Sequence, residues 1–200
     1  MRKCQNDFIN AYTTIKPIKK SQVFHSKINQ KIPFILRDWV SYKGSLIKRL
    51  KKCGVEDVCV ELLEQTWKLP DVDERNVLAI RFREFALVRE VFIRTKEKYW
   101  IFARTIFPRQ TLTGRERCFL RLKNKSLGSI LFKDTTLQRS EFEMMCLRAG
   151  TLQHKKISQT IKRILPDLWA RRSLFYLHGK SLLLTEIFLP AMETLECLKK

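Results

Sequence analysis

The run Leu87-Val88-Arg89-Glu90-Val91-Phe92-Ile93-Arg94-Thr95-Lys96-Glu97-Lys98-Tyr99-Trp100-Ile101-Phe102-Ala103-Arg104-Thr105-Ile106-Phe107 carries the strongest structural signal in the chain. In its first part, Leu87, Arg89, Val91 and Ile93 alternate with Val88, Glu90, Phe92 and Arg94, the period-two pattern of a strand. Thr95 to Lys98 is a polar break. Tyr99 to Phe107 is rich in aromatic and β-branched residues, which suit a pleated surface. Two such runs around a four-residue polar loop predict an antiparallel hairpin, and Pro108 ends its second strand.

Working outward, Trp169 to Leu177 and Leu182 to Leu189 predict a second hairpin around His178-Gly179-Lys180, where glycine supplies a tight turn. Upstream, Val58 to Leu63 alternates like a strand, with a mixed second face. Between Gly44 and Gly54 the apolar residues fall at helical spacing, with Ser45 as N-cap and Gly54 as stop. Asp71 to Asn76 reads as a polar turn after Pro70. Leu112 to Leu122 reads as a helix capped by Thr113, and Ser126 opens another short one. Thr135 to Leu137 and Glu141 to Leu147 suggest a further strand. Residues 151–163 hold Lys155, Lys156, Lys162 and Arg163 without an acid and read as an exposed basic loop or insert. Hairpins mixed with helices predict a single α+β domain with an antiparallel sheet.

The 200 residues suit one domain, and 44% apolar content is enough for a core. Forty basic against twenty acidic side chains give 40 − 20 = +20. That excess points first to a polyanion, either nucleic acid or a membrane surface. No zinc-finger, RNA-recognition or helix-turn-helix signature accompanies it, so no obligate nucleic-acid partner is expected. No apolar run approaches the roughly 20 residues of a membrane span. Arg2 and Lys3 are not followed by the apolar region of a signal peptide, so a cytoplasmic location is expected. Residues 1–31 hold seven basic side chains and one acid, Asp7, and read as a partly ordered basic extension. The six cysteines form no CxxC pair and the three histidines are scattered, so no metal site is expected. Free thiols are expected, with Cys59 and Cys118 as small core residues.

Two charges stand in otherwise apolar strands, Arg89 and Glu186. They fit either a structural ion pair or a ligand pocket. In a pocket, Arg89 would grip a carboxylate with its forked donors, and Glu186 would meet a hydroxyl at the far end. Arg104 is a second arginine of this kind. Arg171 and Arg172 are also basic, but a solvated strand face explains them equally well. Phosphate-binding glycine loops, the serine-hydrolase elbow and the zinc-protease motif are all missing from the sequence.

Several segments together resemble the chorismate pyruvate-lyase family. They are Arg89-Glu90-Val91, Trp100 to Pro108, Leu127 to Phe132, Leu168 to Ser173, and above all Gly179-Lys180-Ser181-Leu182-Leu183-Leu184-Thr185-Glu186-Ile187-Phe188-Leu189-Pro190. The resemblance spans about residues 33–192, leaving a 1–32 extension, a 193–200 tail and a basic insertion at 151–165. It implies a six-stranded antiparallel sheet with helical flaps over a closed pocket. The implied monomeric, cofactor-free enzyme converts chorismate to 4-hydroxybenzoate and pyruvate on the way to ubiquinone. The family arginine on the ring carboxylate matches Arg89, and the glutamate at the 4-hydroxyl matches Glu186. A backbone contact matches Leu127, and a pocket methionine falls at Leu46. Arg104 is expected to help offset substrate charge. Ala103 stands where the family has glycine. The alternative is a non-catalytic effector-binding domain of the same fold, as in bacterial transcriptional regulators. Peripheral membrane contact is a further expectation for the basic extension.

Overall fold

The two hairpins foreseen from sequence lie side by side and form the centre of the sheet. The structure, a computed structural model, describes residues 32–195. Strand β1 (Cys59–Lys68) pairs with β2 (Ala86–Arg94), and β2 with β3 (Tyr99–Phe107). Strand β3 then pairs with β7 (Lys180–Phe188), and β7 with β6 (Leu168–Leu177). Two short strands, β4 (Gln138–Arg139) and β5 (Glu143–Leu147), pair in turn with the outer edge of β6. The sheet thus has seven antiparallel strands in the order β1-β2-β3-β7-β6-β4, with β5 also on β6. The 135–147 region supplies two short strands rather than one, which raises the expected six to seven.

Helices cover both faces. Helix α1 (Phe34–Ser41) and α2 (Leu46–Lys52) pack Leu36, Trp39 and Leu50 onto Ile93, Ile101 and Phe188. On the same face, a 3₁₀ segment (Gly114–Arg121) and the one-turn helix α4 (Gly128–Leu131) close over Phe107 and Phe175. Helix α3 (Val72–Leu78) and α5 (Leu152–Ile161) lie on the other face, where Leu78 meets Val88 and Ile106, and Ile157 meets Phe92 and Phe102. Strand alternation sorts the residues: odd positions of β2 and β3 and even positions of β7 face α1, α2 and α4.

Several expectations change. Asp71 to Asn76 is no turn, because Asp71 caps α3 and the Glu74 carboxylate accepts from the Asp71 N–H at 2.9 Å, a capping box. The 151–163 stretch is no exposed loop, because α5 buries His154 and Ile157. Cys59 and Cys118 are exposed free thiols rather than core residues, and Cys53 is disulfide-bonded rather than free. The helix expected over 112–122 is a 3₁₀ segment. The expected 1–32 extension lies outside the described residues except for Ile32, and the 193–200 tail lies outside them from residue 196 onward. Other readings hold. The Ser45 hydroxyl accepts from Lys48 N at 3.3 Å and starts α2. His178 and Gly179, with φ of 48° and 74°, form the left-handed two-residue turn of the second hairpin.

Candidate active site

Alternation on the three central strands aims a small set of side chains at one pocket. Arg89 and Val91 come from β2, Ala103 and Thr105 from β3, and Leu184 and Glu186 from β7. Leu46 closes one wall from α2, and Leu127, Gly128 and Leu131 close another around α4. Arg139 of β4 completes the lining near Glu186. In the ladder Arg89 pairs with Thr105 and Thr105 with Leu184, while Ala103 pairs with Glu186. Arg89 and Glu186 are therefore two strands apart and offset by two residues. With about 4.8 Å between strands and about 3.4 Å per residue, their backbones lie roughly 12 Å apart. Their side chains enter from opposite ends, an arrangement suited to a ligand with polar groups at both ends.

Arg89 is 1% exposed and has no carboxylate partner among the described residues. Its Nη2 donates to the carbonyls of Lys123 and Lys125 at 2.9 and 2.8 Å, which fixes the guanidinium. Its Nε is buried with no hydrogen-bond partner among the described residues. Burial pulls its pKa down to about 10, so it stays cationic at neutral pH. A buried, oriented and uncompensated cation on a pocket wall is chemically able to receive an anion.

Glu186 does not pair with Arg89. One carboxylate oxygen, Oε2, accepts from Arg171 Nε at 2.7 Å and from Arg139 Nη2 at 3.4 Å. Oε1 accepts no hydrogen bond from the described residues and remains open to a ligand hydroxyl. Arg171 also donates to the carbonyls of Trp39, Val40 and Tyr42, so it ties Glu186 to the end of α1. The structural-pair reading thus holds for Glu186 with Arg171 rather than with Arg89. Both residues line the same pocket.

The solvated-face reading of Arg171 and Arg172 fails, because they are 1% and 8% exposed. Strand β6 is covered on both edges and both faces, and alternation sends the two arginines to opposite sides. Arg172 binds Glu143 and Asp73 on the second face, at 2.7 and 2.6 Å. Arg104 also lies on that second face, because Ala103 and Thr105 take the pocket side. Its guanidinium binds Glu74 at 2.7 and 2.9 Å and also Glu90. Burial opposes its charge, but hydrogen bonds and charge from Glu74 and Glu90 outweigh burial and raise its pKa. The structure therefore brings together Arg89, Glu186, Leu46 and Leu127, all buried on the pocket wall, and leaves Arg104 outside.

Sequence reasoning missed Arg139 and Arg171 as pocket-side groups. Alternation alone could have found Arg171, since one of two adjacent arginines on an inner strand must face the pocket layer. Arg139, in a short polar stretch, carries no such signal. Among the described residues, no cluster of three or more His, Cys, Asp or Glu side chains could hold a metal ion. No helix among them is long and apolar enough to cross a membrane.

A model of the family described as chorismate lyase matches residues 22–196, a wider span than 33–192. A protein of Nitrosospira multiformis named probable chorismate pyruvate-lyase is 36% identical over 159 residues, covering 78% of this chain and 87% of that one. A protein of the same name from Nitrosomonas europaea is 36% identical over 163 residues, covering 82% and 91%. A third from Coxiella burnetii is 32% identical over 178 residues, covering 86% and 95%. Among solved structures, the PhnF C-terminal domain aligns with a TM-score of 0.53 at 16% identity, covering 76% of this chain and 91% of that one. A GntR-family transcriptional regulator from Bacillus cereus aligns at 0.52 and 18% identity, covering 68% and 94%. At those identities the second likeness is one of fold.

Proposed function

The chain belongs to the chorismate lyase family, and from that premise we propose that it removes pyruvate from chorismate to leave 4-hydroxybenzoate. The observation that carries this reading is the pairing of an uncompensated buried Arg89 with an anchored Glu186 across one apolar pocket. Arg89 would hold the ring carboxylate, and the Oε1 of Glu186 would accept from the 4-hydroxyl. Leu46 would press on the ring, and the Leu127 backbone would meet the ring carboxylate. Arg104 has no part in this binding set, because Glu74 and Glu90 occupy it on the other face.

The reaction balances within the substrate. The C4 hydrogen moves to the enolpyruvyl methylene, the C3–O bond breaks, and the C3–C4 double bond completes the aromatic ring. The ether oxygen leaves as the pyruvate keto group. No external oxidant, reductant or cofactor is required for that balance. The six atoms involved can close one ring, so the protein's task is to hold a reactive conformer in a dry site. Fixing the ring at its two ends, by Arg89 and Glu186, does this.

We take residues 33–192 as the catalytic unit, acting as a monomer in the cytoplasm and supplying 4-hydroxybenzoate for ubiquinone. The effector-binding alternative rests on fold likeness alone, whereas the lyase relatives share about a third of their residues with this chain. The test is incubation of the purified chain with chorismate, following 4-hydroxybenzoate and pyruvate. Stoichiometric release of both is expected. Tight binding of 4-hydroxybenzoate without turnover of chorismate would overturn the lyase reading in favour of a sensor.

A further inference from the structure

We propose that Arg139 is the receptor for the second carboxylate of the substrate, the one carried by the leaving enolpyruvyl group. The inference rests on the lyase reading above and deepens it. Chorismate is a dianion, and burying either carboxylate without a partner is strongly unfavourable. Among the described residues, two cationic side chains line the pocket, Arg89 and Arg139, against one carboxylate, Glu186. Arg89 sits at the far end, held by the Lys123 and Lys125 carbonyls. The enolpyruvyl group is attached at C3, next to C4, whose hydroxyl faces Glu186. Its carboxylate therefore falls at the Glu186 end, where Arg139 stands.

The hydrogen bonds around Arg139 leave it free for this task. Arg171 already satisfies Glu186 at 2.7 Å, while Arg139 reaches the same oxygen only at 3.4 Å. The Arg139 Nη1 contact, to the Lys43 carbonyl, is also long at 3.3 Å. Its strong contacts serve to place it. Nε donates to Ser173 Oγ at 2.9 Å, and the guanidinium stacks on Phe142 and Phe175, 4.1 and 4.6 Å from the ring centres. The two terminal nitrogens thus present a forked edge with weak existing bonds, the geometry that carboxylates select. Burial draws its pKa down to about 10, so it is charged at neutral pH.

The contact belongs to substrate and not to 4-hydroxybenzoate, because the second carboxylate leaves with pyruvate. That difference supplies the test. In the Arg139→Gln variant, KM for chorismate should rise about tenfold or more, while Kd for 4-hydroxybenzoate changes less than about threefold. Arg139→Lys should recover part of the loss in KM. Parallel losses in substrate and product binding would overturn the proposal, since they would mean that Arg139 acts only by placing Glu186. No change in either would overturn it equally.

Should the variants fail to fold, the wild-type protein still decides. Two probes serve, 3-(carboxymethoxy)-4-hydroxybenzoate and its uncharged carboxamide. The carboxylate is expected to bind about tenfold more tightly. Equal or weaker binding overturns the proposal. A wild-type chain that prefers the carboxylate probe yet leaves chorismate intact would keep this subsite and sink the lyase reading.

Discussion

Arg89 and Arg104 are two arginines of similar burial with opposite surroundings, and the contrast sets what each substitution does. Arg89 has carbonyl partners on one side and an open donor on the other, so its charge is available to a ligand. Arg89→Met should lower kcat/KM for chorismate by about 30-fold to several thousand-fold, the equivalent of roughly 2–5 kcal/mol. Steady-state kinetics on the purified variant check this, and a wild-type rate would remove Arg89 from the site. Arg104 is closed by Glu74 and Glu90, of which Glu90 is fully buried. Arg104→Met leaves those carboxylates without their main cation and should lower stability by about 3–5 kcal/mol. The fraction that remains folded should keep its KM. A raised KM with an unchanged melting temperature would show that Arg104 binds substrate after all. Arg89 and Glu186 were legible in the sequence because a charge in an apolar strand is conspicuous. Arg139 was not, because its partner is 47 residues away and nothing local marks the pair, whereas strand alternation marked the side that Arg171 takes but not its partner.

Among the elements, strands announced themselves better than helices. Both central hairpins follow from period-two alternation and turn chemistry, and α2 follows from its Ser45 cap. Helix α3 was hidden by polar composition, although Asp71 and Glu74 stand at capping-box spacing. Helix α5 was hidden because its lysines suggested solvent. Lys156 instead reaches back to the sheet, to Glu64 of β1 at 2.6 Å and to Glu90 of β2. Its basic side chains are therefore partly an attachment. The hydrogen bond from Lys156, with help from Lys68, lowers the Glu64 pKa to about 2 from an ordinary 4.5. A carboxylate with a depressed folded-state pKa adds stability above its unfolded value and loses it as pH falls through the folded value. The chain should accordingly lose stability as pH drops from about 4.5 to about 2, and Glu64→Gln should flatten that part of the profile. Chemical denaturation at several pH values measures it. An identical acid profile in the variant would mean that the attachment contributes nothing.

Over the whole molecule, the charge of +20 first suggested a polyanion, whereas the function proposed for the pocket calls for a small dianion. Excess positive charge raises the local concentration of an anionic substrate and is screened by salt. For the lyase reaction, kcat/KM should therefore fall as ionic strength rises from about 0.01 to 0.15 M, the range over which the screening length shrinks from roughly 30 to 8 Å. The change should lie in KM, with kcat held. A salt-independent KM would mean that the net charge does not guide substrate. The alternation that places Arg89 in the pocket and Glu90 on the opposite face also has a bearing on how such a protein can change. Neighbouring codons in β2, β3 and β7 report to separate layers, so point changes can retune ligand preference in one layer while leaving the ion network of the other intact. A one-residue insertion or deletion within β3 has no such freedom. It would exchange Ala103 and Arg104 between layers, pushing a guanidinium into the pocket and stranding two carboxylates behind the sheet. Adaptation of this scaffold should thus proceed by replacement within its central strands, and length variation should be confined to the loops that join them.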